Sequence, residues 1–280
     1  LRMLPSAVVN AKTRLLIGAG VLVDPVVFLK EVNETGSQSR AFVDFNCAII
    51  EQKHIAKDNE GHLKEKIGTT GTGTGPANSD RVMRIGKIAS QELLLEKYLE
   101  DVTTSVNDSL DRKEFVIVEG TQGTLLSLYF GDYPYVTSKD VSASGICSDV
   151  GIGPKRVDDV LVVFKAYLTR VGSGQLQGEL PPDETIKRGW QEFGSVTGRI
   201  RRAAPFNYAL AKRSVRLNSG TQIAITKLDT VFPETSGMRE FDTLSQPSKD
   251  FILSVESELG IPVVYIGTGP DSEDIIDRRK

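Results

Sequence analysis

The sequence predicts an α/β protein with a mostly parallel central sheet flanked by helices. Three observations carry this: short, continuously apolar runs that fit strands buried on both faces, helix-period segments alternating with them, and glycine-rich turns where several runs end. No repeat of roughly 20 to 50 residues recurs and no low-complexity linker divides the chain, so one domain over 1–280 is expected.

In order, Arg14 to Ile17 reads as a strand ending in Gly18-Ala19-Gly20, and Asp24 with Pro25 opens a helix through Glu34, proline in its first turn. Ala41 to Ile50 reads as a second strand. Gln52 to Lys64 is polar and holds both histidines, His54 and His62, which are expected at the surface. Between Ser90 and Arg112, Leu93, Leu94, Tyr98, Leu99, Val102, Val106 and Leu110 recur at helical spacing. Phe115-Val116-Ile117-Val118 has a buried-strand pattern and runs into Glu119-Gly120-Thr121-Gln122-Gly123. Val160 to Leu168 repeats the strand signal, and Pro205 to Asn218 reads as helix. Ile223 to Ile225 is a strand, Asp250 to Leu259 a helix, and Val263 to Ile266 a strand that stops at Gly267-Thr268-Gly269-Pro270.

Composition narrows the function. The 280 residues are 39% hydrophobic and 25% charged, enough apolar material for a packed core and too much for whole-chain disorder. The longest apolar run falls far short of the roughly 20 residues that cross a bilayer, so no membrane partner is expected. A net charge of −3 argues against broad nucleic-acid binding, although local basic clusters can hold a phosphate. Two cysteines and two histidines leave little for a disulfide framework or a Cys/His metal site, and a reducing, cytoplasmic setting fits best. The chain opens Leu1-Arg2-Met3, so its first residue is not expected to be the native start.

In open α/β sheets ligands lie beyond the carboxyl ends of the strands, and four segments there carry chemistry. Gly68-Thr69-Thr70-Gly71-Thr72-Gly73-Thr74-Gly75-Pro76 combines close backbone approach with hydroxyl donors suited to phosphate, with Arg81 and Arg84 behind it; a flexible loop reads equally well. No Gly-Lys-Ser/Thr closes it, so it is not a Walker A loop. Gln122 offers an amide that suits a base edge, and Thr137 or Ser138 a hydroxyl for phosphate, against the alternative of a glutamine satisfying a turn. Thr197-Gly198-Arg199-Ile200-Arg201-Arg202 gathers guanidinium groups able to bind a small carboxylate or phosphate, or else forms a solvated basic turn. Thr226-Lys227-Leu228-Asp229 follows a strand; an aspartate there can accept both the ring N–H and the exocyclic amine of guanine, a donor pair adenine lacks.

Taken collinearly, these segments resemble adenylosuccinate synthetase, over essentially the whole chain from Leu4-Pro5-Ser6 to Gly269-Pro270 and most closely its short, archaeal-type branch. The resemblance implies the P-loop-NTPase-related fold of that family, a cytoplasmic homodimeric ligase, and a magnesium- and GTP-dependent joining of IMP and L-aspartate. The products are adenylosuccinate, GDP and phosphate. It implies that the GTP γ-phosphate passes to the 6-oxygen of IMP, turning a poor leaving group into a good one, which the aspartate amine then displaces. By the same resemblance Thr70, Gln122, Thr137 and Arg199 would hold IMP, Gln122 supporting the chemistry, and Arg84 would reach the IMP phosphate of the neighbouring subunit. Thr197, Arg199 and Arg201 would hold aspartate. Arg201, Lys227, Leu228, Asp229, Gly267, Thr268 and Gly269 would bind GTP.

Three departures qualify it. Gly174-Gln175-Leu176-Gln177-Gly178-Glu179 replaces the family's Gly-Pro-Phe-Pro-Thr-Glu, and Ile200 stands where another arginine is usual. The family's Gly-Asp-Glu-Gly-Lys-Gly-Lys and Asn-x-Gly-His-Thr segments, with the general-base aspartate, the acid histidine and the metal contacts, do not occur; a preceding unit of roughly 30 or more residues is expected to carry them. Two alternatives remain: an aminoadenylosuccinate synthetase acting on dGMP, and a non-catalytic nucleotide-binding paralogue.

Overall fold

The computed structural model describes residues 1–194 and 198–279. The chain divides into two compact units, Leu1–Val157 and Asp158–Lys280.

The first unit contains β1 (Leu15–Ile17), β2 (Leu22–Val23), α1 (Pro25–Thr35), β3 (Ala41–Asp44), β4 (Ala48–Ile49), α2 (Gln52–Asp58), α3 (Thr74–Met83), β5 (Leu99–Glu100), α4 (Val102–Asp111) and α5 (Ala143–Val150). A parallel sheet runs β1-β3-β5, and β2 pairs parallel with β4. Helix α1 starts as the sequence predicts: the Asp24 carboxylate accepts the Val26 and Val27 N–H groups at 3.0 and 3.2 Å, Pro25 fills the first position, and Gly36 ends the helix at φ 62°. Its Phe28 and Val32 are buried with Leu15, Val43, Leu95 and Tyr98, Phe28 meeting Tyr98 edge-on at 5.2 Å.

Four expectations in this unit are corrected. Ala41–Ile50 is not one strand, because buried Asp44 turns the chain, accepting the Asn46 N–H at 2.9 Å and the Val102 N–H at 3.1 Å; β3 and β4 then join different sheets. The helical region Ser90–Arg112 is interrupted, and only its second half is α-helix. The Asp101 carboxylate caps α4 through the Thr104 N–H at 2.9 Å, so the leucines before it form 3₁₀ turns and β5. Phe115–Val118 makes no ladder among the described residues: Val116 and Val118 pack beside α4, while Phe115 and Ile117 are exposed. His54 is buried, whereas His62 is exposed as expected. Burial of His54 is tolerated because both ring nitrogens are partnered, Nδ1 accepting the Glu51 N–H at 3.0 Å and Nε2 lying 3.1 Å from an Asp80 carboxylate oxygen.

The second unit contains β6 (Leu161–Lys165), β7 (Tyr167–Arg170), α6 (Pro182–Lys187), β8 (Glu192–Phe193), β9 (Ile200–Pro205), α7 (Tyr208–Asn218), β10 (Gln222–Thr226), α8 (Leu228–Val231), α9 (Gln246–Leu259), β11 (Val263–Gly267) and β12 (Ile275–Asp277). Its main sheet runs β12-β11-β10-β6, parallel except for β12, and a smaller antiparallel sheet runs β7-β9-β8. Ile223, Ile225 and Ile266 of the sheet pack with Val215 of α7 and Ile252 and Val255 of α9. The expected strand Val160–Leu168 switches sheets at buried Ala166, whose N–H donates to the Thr226 carbonyl at 2.9 Å. Pro205 ends β9 instead of opening α7; the helix is capped by Asn207, which accepts the Leu210 N–H at 3.0 Å. Strand β6 is the outer strand of its sheet and leaves Leu161 and Val163 exposed.

Candidate functional site

In the first unit the glycine-threonine segment has two faces. Inward, Asp58 at the end of α2 accepts the Gly73 N–H and the Thr69 hydroxyl, each at 2.9 Å, and the Thr69 oxygen in turn accepts the Gly71 N–H at 2.8 Å. The Asn59 amide donates to the Gly71 carbonyl at 2.9 Å. Outward, the hydroxyls of Thr70, Thr72 and Thr74 form a row, spaced 3.3 and 2.9 Å. Gly71 and Gly73 have φ of 70° and 81°, and a Cβ on Gly73 would come within 2.9 Å of the Ile55 nitrogen, so both positive φ and crowding require glycine there. Two glycine N–H groups that the sequence offers to a phosphate are thus spent on the protein itself, and threonine hydroxyls remain.

Helix α3 links this segment to the next candidate. Its Asn78 amide donates to the Ser138 carbonyl at 2.6 Å, next to half-buried Thr137, whose N–H donates to the Leu126 carbonyl at 2.8 Å. The buried Ser138 Oγ has no hydrogen-bond partner among the described residues. Asp140 fixes the stretch by accepting the Ser127 and Ser142 hydroxyls at 2.7 and 2.5 Å. Burial raises the Asp140 carboxyl, but these hydroxyls and neighbouring N–H groups outweigh that and hold it below the usual range. Gln122 is not at a strand end: it is exposed, with φ of 61°, and its side-chain oxygen accepts the Thr121 hydroxyl. Arg84 ends α3 at φ 62° and is exposed, and Val82, Met83 and Ile85 beside it leave 68%, 66% and 70% of their surface uncovered.

In the second unit, β10 and β11 are parallel neighbours, so Lys227-Leu228-Asp229 and Gly267-Thr268-Gly269 emerge at the same, carboxyl end of the sheet. Lys227 turns the chain at φ 62°, and Leu228 anchors the turn with a fully buried side chain, leaving only its backbone for a ligand. One carboxylate oxygen of Asp229, Oδ1, is buried with no hydrogen-bond partner among the described residues. Thr268 is also buried, its hydroxyl donating to the Met238 carbonyl at 2.7 Å, so it too offers backbone alone. A Cβ on Gly269 would lie 2.3 Å from an Asp274 carboxylate oxygen.

The arginine cluster separates into different tasks. Arg202 is structural: it meets Glu179 at 2.7 Å and donates to the Gly172 and Gly174 carbonyls at 3.0 and 2.7 Å. Arg201 points to the other face of β9, opposite Glu192 of β8, with Nε 3.7 Å from a Glu192 carboxylate oxygen. Arg199 stands two positions earlier, the spacing that returns to the same face of an extended chain. Thr197 lies outside the described residues.

Sequence reasoning missed Glu192. It accepts the Lys165 ammonium and the Tyr167 hydroxyl, both at 2.6 Å, and Tyr167 stacks on Trp190 at 4.8 Å. Burial pushes the Glu192 carboxyl up, but the hydrogen bonds from Lys165 and Tyr167 prevail and hold it below its ordinary range. Burial depresses the Lys165 ammonium, and the Glu192 carboxylate only partly offsets this. Lys165, Tyr167 and Glu192 come from separate strands, so no local spacing announces them.

A family model described as adenylosuccinate synthetase matches residues 1–96 and 87–234. An adenylosuccinate synthetase of Pyrococcus horikoshii is 51% identical over 282 residues, covering 99% of this chain and 83% of the relative. One from Archaeoglobus fulgidus is 52% identical, covering 100% and 83%. Among solved structures, a fully ligated adenylosuccinate synthetase from Plasmodium falciparum superposes with a TM-score of 0.93 at 24% identity, covering 100% of this chain and 88% of that one. The succinoaminodeoxyadenylate synthetase of cyanophage S-2L gives 0.81 at 24% identity, covering 100% and 81%. At such identity the two structures speak to the fold alone.

Proposed function

The chain belongs to the adenylosuccinate synthetase family, and from that premise we infer that it catalyses the GTP-dependent ligation of L-aspartate to IMP, forming a C–N bond and releasing GDP and phosphate. The observation that supports the nucleotide assignment most directly is the buried Asp229 Oδ1 at the carboxyl end of β10, which has no partner among the described residues, with the Gly267–Gly269 turn on the neighbouring strand. Asp229 accepts the two N–H donors of guanine, and the Lys227 stem lies along the base.

Around the other substrates, Thr70, Thr137 and Gln122 bind IMP, with hydroxyls meeting its phosphate and the Gln122 amide its base. Arg199 and Arg201 pair with the carboxylates of aspartate, Arg201 contacting GTP as well, and Thr197 joins them in the family pattern. Glu192 keeps Arg201 on its strand face. Its charge is shared with Lys165, so Arg201 retains attraction for an anion. Two units of this chain form a homodimer in which Arg84 reaches the IMP phosphate of the partner; the uncovered apolar side chains of Val82, Met83 and Ile85 on either side of Arg84 support a protein-covered surface there.

Magnesium accompanies GTP in this reading. Among the described residues no group of three or more His, Cys, Asp or Glu side chains is placed to hold a metal ion. None of the described helices is long and apolar enough to cross a membrane.

The test is turnover by the full-length protein with GTP, IMP and aspartate, followed by absorbance, together with a binding competition between IMP and dGMP. Product formation that needs all three substrates and is not displaced to dGMP is the expected result. Inactivity with all three present, or preference for dGMP, overturns the reading.

A further inference from the structure

We propose that Asp58 is a positioning residue for IMP: by spending its carboxylate on the inner face of the Thr69–Gly73 segment, it turns the Thr70 hydroxyl outward toward the nucleotide. The inference rests on the assignment of Thr70 to IMP.

A loop with glycines at alternate positions has many conformations of similar energy, and an unrestrained one meets a phosphate at the cost of ordering itself. Here the ordering is already done. Asp58 is 4% exposed, and each of its carboxylate oxygens takes a separate donor, Oδ2 the Gly73 N–H and Oδ1 the Thr69 hydroxyl. Through the Thr69 oxygen the restraint reaches the Gly71 N–H, so a single carboxylate fixes both left-handed glycines. Asn59 holds the Gly71 carbonyl from the same helix end. Thr69, bonded to Asp58, is half-buried, while its neighbour Thr70 is exposed.

Helix α2 can serve as a rigid base because its other end is tied down. His54 accepts the Glu51 N–H at Nδ1, which leaves the proton on Nε2 to donate to Asp80 of α3. The His54 hydrogen bond is the chief reason the Asp80 carboxyl lies below its usual range. Asp80 also accepts, at its carbonyl, the Ile85 and Gly86 N–H groups that close the turn carrying Arg84. The same short helix thereby braces both residues assigned to the IMP phosphate.

A carboxylate pointed at an anion site would repel its ligand. Asp58 is instead buried behind the loop, with both carboxylate oxygens directed at donors of the loop itself.

The experiment measures Asp58→Ala and Thr69→Val in the full-length protein, reading steady-state constants, IMP and GTP affinity by calorimetry, and thermal stability. Both variants break the same chain of hydrogen bonds at different links. The expected result is a rise of about tenfold or more in KM and Kd for IMP, with kcat and the affinity for GTP within about twofold of wild type. Asp58→Asn, which keeps one acceptor for Gly73, should fall between wild type and Asp58→Ala. A lower melting temperature with unchanged IMP affinity, or parallel loss of IMP and GTP affinity, overturns the proposal and leaves Asp58 a structural residue. Wild-type protein that fails to bind IMP instead overturns the functional reading on which the proposal stands.

Discussion

The segments proposed for guanine and for IMP are built by different means. The first rests on two parallel strands, whose ladder fixes where Lys227, Asp229 and Gly267–Gly269 emerge. The second rests on irregular backbone: a glycine-threonine loop held by Asp58, an exposed Gln122, and a Thr137 whose neighbour Ser138 is held through its carbonyl by the Asn78 amide, 60 residues away in the chain. A sheet positions a ligand-binding turn through many cooperative backbone bonds, so a side chain at its end is changed without moving the scaffold. A loop is positioned by a few polar contacts, and each of them acts on geometry as well as on binding.

The sharpest test of this difference is Asp229→Asn. Losing the double acceptor should lower kcat/KM for GTP on the order of 100-fold, with charge-assisted hydrogen bonds worth about 1.5–3 kcal/mol each, and favour XTP, whose C2 oxygen accepts from the new amide. Kinetics with GTP and XTP read this, and the melting temperature should hardly move; unchanged discrimination would remove Asp229 from the base site. Next comes Gly73→Ala in the loop, where strain and crowding should cost about 1–3 kcal/mol of stability, seen as a lower midpoint in denaturant. Gly75→Ala, at ordinary φ with open space around its Cβ position, should change stability by less than about 1 kcal/mol. Equal effects at the two positions would contradict the crowding argument.

The smallest effect concerns Glu192. Its native pKa lies below the ordinary 4.5, so its contribution to stability is complete above that value and disappears as pH falls through the lower native value. Glu192→Gln should therefore be less stable than wild type at about pH 6, and the two denaturation curves should converge in acid. A gap that persists undiminished into acid would assign the loss to packing.

The parallel strands, α1 and the Thr-Lys-Leu-Asp turn were legible because each is set by local pattern: an apolar run, a capping aspartate, a turn directly after a strand. What was not legible depends on partners distant in sequence. His54 looks like a surface histidine until Asp80 is brought to it, and Asp58 looks like an ordinary acid at the end of a polar segment. Phe115–Val118 has strand composition, but a ladder is a property of two segments, and no neighbour pairs with it among the described residues. Arg201 and Arg202 are adjacent in sequence, yet the alternation of β9 sends one toward Glu192 and the other into a web of carbonyls around Glu179.

Strand β6 has a practical consequence. Among the described residues it has a ladder partner on one side alone, with Leu161 and Val163 exposed beside it, and Lys165, the charge that could blunt this edge, is turned to Glu192. Strand-to-strand self-association in concentrated solution is the expected outcome for an edge of this kind. Val163→Lys should suppress it, as light scattering during concentration would show, and a soluble sample would follow from one charge on one edge.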